Sequence, residues 1–168
     1  MKHAWTCGCC GKQFGTLPLD FACNAPDQWF DIPAPERPKR GQLDSDVCMI
    51  DDKDIFVRGC LDIPVIGLDD RFVWGVWVSV SKASFRRILE LWDAPAIENE
   101  PPKFGWLCNS ISIYPPARGL KTNVHLRGGG ARPFIELEPT DHPLAIEQQR
   151  GISIKRVEEI AAALSIRH

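Results

Sequence analysis

The chain has 168 residues, 44% hydrophobic and 25% charged, with six Trp and eight Phe against one Tyr. That is one domain of ordinary size, able to bury most of its apolar surface without a staple. The net charge of −2, from 20 basic and 22 acidic residues, argues against nucleic acid as a partner. No apolar run reaches the roughly 18 residues of a membrane span, and Met1-Lys2-His3-Ala4-Trp5-Thr6 carries no apolar leader core. A soluble protein with a cytoplasmic address and no membrane partner is expected.

In chain order, the first feature is Cys7-Gly8-Cys9-Cys10-Gly11. A C-x-x-C with glycine after each cysteine suits a hairpin that presents two thiolates to one tetrahedral metal, because glycine lets the backbone amides turn toward the sulfurs. Residues 1–15 are therefore read as a knuckle-like segment, with Cys7 and Cys10 as candidate zinc ligands. A closed zinc site wants four ligands, and no second C-x-x-C follows. His3 and Cys9 are the nearby candidates for the rest, with Cys23, Cys48 or Cys60 available if folding brings them in. The competing reading is a metal-free pair of reduced thiols on a tight turn. Seven cysteines without a secretory leader do not suggest a disulfide framework, and Cys23, Cys48, Cys60 and Cys108 read as small buried hydrophobes.

Residues 24–42 hold Pro26, Pro33, Pro35 and Pro38 and show no periodicity, so they read as a long connection pinned by Trp29 and Phe30. Val47–Ile50, a turn at Asp51-Asp52-Lys53-Asp54, and Ile55–Val57 predict a β-hairpin whose second strand reaches Ile66 only with a bend at Gly59 and Pro64. Phe72–Val80 is the strongest strand, with Phe72, Trp74, Val76 and Val78 on one face and Gly75 and Trp77 on the other, both faces covered. Ser81 predicts the cap of a helix to about Trp92, with Phe85, Ile88, Leu89 and Trp92 as its core stripe. Phe104–Ile113 reads as a strand with a bulge near Gly105. Leu120–Arg127 and Arg132–Glu138 read as strands joined through Gly128-Gly129-Gly130, a run without the spacing of a phosphate loop. Two helices close the chain, one from about His142 to Arg150 ended by Gly151, the other over residues 153–166 behind a Ser153 cap. The absence of regular βαβ alternation predicts a single α+β domain over residues 1–168, with a mostly antiparallel sheet and covering helices.

Four stretches are distinctive as a set: Arg58-Gly59-Cys60-Leu61-Asp62-Ile63-Pro64-Val65, Phe72-Val73-Trp74-Gly75-Val76-Trp77-Val78-Ser79, Leu120-Lys121-Thr122-Asn123-Val124-His125, and Ile135-Glu136-Leu137-Glu138-Pro139-Thr140-Asp141-His142-Pro143-Leu144-Ala145. With them the chain resembles the uncharacterised bacterial family catalogued as domain of unknown function 2199, over nearly its whole length. The resemblance implies no activity. It also implies a histidine four residues after the second cysteine of the C-x-x-C, where this chain has Phe14.

Two functional classes follow. The first is a non-enzymatic binding or interaction module with a protein or small-molecule partner and a structural zinc knuckle. The alternative is a hydrolase or transferase built on His125, Asp141 and His142, in which a carboxylate orients a histidine base near a nucleophile such as Cys108. Against that alternative, Thr140 or Asp141 can simply cap a helix that has Pro143 in its first turn. Asn123 and His125 share a strand face and can line a cleft with Lys121 or Arg127. Trp106 and Asn109, near Pro115-Pro116, read either as part of a pocket or as core.

Overall fold

The computed structural model describes residues 5–6, 13–95 and 97–164. Two short strands, β1 (Trp5–Thr6) and β2 (Gln13–Phe14), pair antiparallel, Trp5 opposite Phe14 and Thr6 opposite Gln13. Cys7, Cys9, Cys10 and His3 lie outside the described residues.

The body is built on one long hairpin. Strands β6 (Asp54–Pro64) and β7 (Arg71–Val80) pair antiparallel from Ile55 opposite Val80 to Pro64 opposite Arg71. Antiparallel neighbours β8 (Lys103–Leu107), β9 (Lys121–His125) and β10 (Phe134–Leu137) follow in order from β7. Strand β10 then returns to β6 in parallel, Phe134 opposite Cys60, so five strands close into a barrel. Three more strands extend it: β3 (Asp20–Ala22) runs parallel to β7, and β5 (Val47–Ile50) with β4 (Gly41–Leu43) continues antiparallel from β6. The expected α+β class holds and most pairings are antiparallel. Closure of the sheet is not legible in local sequence, because it depends on which distant strand meets β6.

Alternation along β6 and β7 sorts side chains into two cores. Val57, Leu61 and Ile63 join Trp74, Val76, Val78, Leu107, Val124 and Ile135 in the larger one. Phe56 and Trp77 point the other way into a smaller core with Ile32, Cys48, Ile50 and Cys108. Both faces of β7 are covered, as its composition suggested. The Trp77 indole N–H donates to the Cys23 carbonyl at 3.0 Å, while its backbone N–H donates to Asn109 Oδ1 at 2.7 Å. Asn109 Nδ2 in turn donates to the Ala25 carbonyl at 2.9 Å, so this buried amide stitches the 23–28 segment to the barrel.

Several local expectations change. Residues 24–42 are not a bare connection: they form α1 (Asp27–Asp31), a 3-10 turn (Ala34–Glu36) and α2 (Arg37–Arg40) before entering β4. Proline starts these short helices, since its fixed φ suits a first turn. Trp29 does pack on the smaller core, but Phe30 is exposed. Strand β6 runs to Pro64 without an interruption at Gly59. There a Cβ would meet Ile135 Cδ1 at 2.5 Å and the Pro133 carbonyl at 2.9 Å, so glycine is what lets β10 approach. Strand β8 ends at Leu107, well before Ile113.

Helix α3 (Lys82–Leu91) starts where expected, Ser81 Oγ accepting from the Ser84 N–H at 3.1 Å. Its stripe is only partly core: Ile88 is fully buried but Leu89 is 54% exposed. The helix touches β6 on one flank and leaves the other turned toward the β4–β5 hairpin. The glycine run has a structural role at its end. The Gly130 N–H donates to the Trp92 carbonyl at 2.8 Å and the Gly129 N–H to the Ala94 carbonyl at 2.9 Å, so the β9–β10 connection supplies donors that the end of α3 lacks. All three glycines have positive φ, from 61° to 77°.

Helix α4 (Pro143–Arg150) lies against β6 and β10. Helix α5 (Ile154–Leu164) begins behind Ser153, whose Oγ accepts from the Arg156 N–H at 3.0 Å, and buries Val157, Ile160 and Ala161. Among the described residues no helix is long and apolar enough to cross a membrane.

Candidate functional site

The residues of the supposed His125/Asp141/His142 cleft do not meet. His125 sits on the outer face of β9 with Lys121 and Asn123, as the alternation implied, because Thr122 and Val124 point inward. Its ring stacks on Phe134 at 5.6 Å, and Nε2 lies 3.0 Å from Glu136 Oε1. His142 is beyond the far end of β10, and its two nitrogens are both engaged. Nδ1 accepts from the Leu144 N–H at 3.1 Å, which fixes the proton on Nε2 for the Pro115 and Pro116 carbonyls at 3.1 and 3.2 Å. His142 is itself the N-cap of α4. Thr140 Oγ1, two residues earlier, accepts from the His142 backbone N–H at 3.1 Å, and exposed Asp141 has no bond to either histidine.

Cys108 is no exposed nucleophile. It is 2% exposed, its Sγ accepts from Gln28 Nε2 at 3.4 Å and contacts the Trp106 carbonyl at 3.2 Å, and burial pushes its thiol pKa up. Among the described residues no group of three or more His, Cys, Asp or Glu side chains is placed to hold a metal. Cys48 is buried in the smaller core, and Cys60 stands opposite Phe134 on the outer side of β6.

What the structure does assemble is a cleft of about 650 Å³ over the end of β7. That volume lies in the ordinary range of small-molecule sites. One wall is aromatic. Phe104 and Trp106 alternate with inward-facing Gly105 and Leu107 on β8, so both rings stand on the outer face, each 45% exposed. Their centroids are 5.0 Å apart and their planes meet at 87°, forming a corner. Three serines also line it, Ser79 beside Trp106 across the β7–β8 pair and Ser81 and Ser84 where α3 begins. Lys53 and Asp54, at the end of the β5–β6 turn, line a third side. Gln28 closes the base from α1. Its Oε1 is buried and has no hydrogen-bond partner, an arrangement that ordinarily costs about 1–3 kcal/mol.

The elements around the cleft are tied down by charge. Glu100 accepts from Arg87 through a two-pronged contact, Nε to Oε1 at 2.8 Å and Nη2 to Oε2 at 2.9 Å, and from Lys103 Nζ at 2.8 Å. These bonds join α3 to the first residue of β8, one residue before Phe104. The β5–β6 turn is held by Arg40, which grips Asp51 at 3.0 and 2.9 Å.

From sequence, Trp106 reads as either pocket or core and Phe104 only as part of a strand. The available signal was Phe104-Gly105-Trp106-Leu107 itself: two aromatics two residues apart, with glycine and leucine on the alternate positions. Asn109, paired with Trp106 in that reading, turns inward to serve β7.

The described chain is an α+β protein with a five-stranded closed barrel, three added strands and an aromatic-walled cleft on the barrel's outer side. It belongs to the family described as "Uncharacterized protein conserved in bacteria (DUF2199)", whose model matches residues 6–152. No curated protein and no solved structure matches it.

Proposed function

We propose that this protein is a non-enzymatic binding module whose ligand enters the cleft between β8, the start of α3 and the β5–β6 turn. The observation that carries this reading is the pair Phe104 and Trp106, two large rings left side by side at a cleft of about 650 Å³ instead of in either core. Exposed aromatics gathered at a concavity with a few convergent polar groups are the usual make-up of a recognition site. The test is a fragment titration of ¹⁵N-labelled protein. Saturable shifts gathered on the Gln28 side chain, Ser84 and the Trp106 indole support the reading; shifts elsewhere, or none, overturn it.

The zinc knuckle belongs to this proposal as a structural accessory. The antiparallel pairing of β1 with β2 supports it, since that ladder flanks the segment carrying Cys7 and Cys10. His3 and Cys9 remain the nearby further ligands. Elemental analysis of untagged protein beside a Cys7→Ser/Cys10→Ser variant decides it: near-stoichiometric zinc lost in the variant is expected, and zinc-free, folded wild type removes the knuckle. A cytoplasmic location is part of the same proposal.

A further inference from the structure

We infer that the cleft takes a free aromatic α-amino acid, a compact zwitterion with one flat ring. This rests on the cleft being the binding site and adds the class of ligand.

Ring geometry limits the apolar part. Phe104 and Trp106 are nearly perpendicular, at 87°, so a flat ring stacked on one meets the edge of the other. Offset-stacked and edge-to-face contacts are the favoured aromatic arrangements, and a corner offers both to a single ring. A run of nucleobases would need successive faces open in parallel, which this corner lacks.

Charge limits the polar part. Lys53 and Asp54 supply one positive and one negative group on the same side of the cleft, and neither takes part in an ion pair among the described residues. A carboxylate matches Lys53 and an ammonium matches Asp54. A phosphorylated ligand would set two negative charges against one cation and bring them near a carboxylate. The Ser84 hydroxyl, on the same lining, is suited to a carboxylate oxygen.

The experiment follows the Trp106 indole resonance of the full chain, assigned with Trp106→Phe, during titration with L-tryptophan. Three relatives serve as controls: tryptamine without the carboxylate, indole-3-propionate without the ammonium, and N-acetyl-tryptophanamide with neither charge. Saturation by L-tryptophan with each control about tenfold weaker or worse is expected. Lys53→Ala should reduce L-tryptophan binding to the level of tryptamine, and Asp54→Asn to that of indole-3-propionate. Equal binding by N-acetyl-tryptophanamide overturns the zwitterion while leaving the cleft as a site. A Trp106 resonance unmoved by all four compounds overturns this inference, and the fragment titration then reports on the cleft separately.

Discussion

Arg87 and Glu100 face each other across the mouth of the loop that leads from α3 to β8, joined by two parallel N–H to oxygen bonds of 2.8 and 2.9 Å. Lys103 adds a third bond to the same carboxylate. These hydrogen bonds and charges hold the Glu100 carboxyl down to about 2. A carboxylate held below its ordinary range stabilises the fold above that range and loses its contribution as pH falls through the shifted value. The contribution of the clamp to stability should therefore be complete above about pH 4.5 and fade as the pH falls from there to about 2, where the folded carboxylate itself takes up its proton. Carbon-detected NMR titration of Glu100 checks the midpoint. In Glu100→Gln, the acid-dependent part of the stability curve in that window should shrink.

Trp77 and Trp106 should separate stability from binding. Trp77 is fully buried with both N–H groups satisfied, so Trp77→Ala should cost about 3–5 kcal/mol in urea unfolding. Trp106 is 45% exposed, and Trp106→Ala should shift the urea midpoint far less while abolishing cleft binding. Equal losses of stability in the two variants would make Trp106 a core residue.

The β5–β6 turn carries backbone strain that can be relieved. Asp51 and Asp52 both occupy left-handed conformations, with φ of 54° and 52°, at the centre of a turn closed by the Lys53 N–H donating to the Ile50 carbonyl at 3.0 Å, between the paired Ile50 and Asp54. Asp51 is held by Arg40, whereas among the described residues no hydrogen bond from the Asp52 side chain compensates its conformation. Asp52→Gly should raise stability by about 0.5–1 kcal/mol, and Asp51→Gly should not, because it also removes the Arg40 contact. Chemical denaturation of the two variants decides it.

Thiol chemistry should divide the seven cysteines into two groups. Burial pushes Cys23 and Cys48 up to about 11 and raises Cys60 and Cys108. The reactive species is the thiolate, so at pH 8 Cys23 and Cys48 should react about a hundredfold more slowly than in unfolded protein. Alkylation followed by mass spectrometry should label these four far more slowly in native protein than after denaturant is added. Rapid labelling of Cys108 in native protein would contradict the packing around Trp77.

Local chemistry was legible in the residues; long-range closure was not. Ser81 and Ser153 announced their helices because a hydroxyl before an apolar-periodic run has one common use. Strand β7 was legible from strict alternation. The stripe on α3 failed at Leu89 because periodicity shows which residues share a face and not whether a neighbour covers it. His142 misled for a related reason: a histidine beside an aspartate reads as chemistry, yet here the ring serves as a cap and fills two carbonyls of a distant loop. The cleft was hidden because its walls come from four separate stretches of chain, around residues 28, 53, 79–84 and 104–106.

Closure of the barrel has a kinetic consequence. Strand β6 is the first of the five to be made and β10 the last, yet Cys60 and Phe134 must lie side by side. The β6–β7 hairpin can form as soon as both strands exist, whereas the closing pair must wait for α3, β8 and β9 and overcome the entropy of a long loop. Folding should thus be limited by that final parallel pairing, at rates typical of non-local β topologies, milliseconds to seconds. Until it happens the growing chain carries an open edge on β6 beyond the reach of β5, and the end of α3 has no glycine amides to finish it.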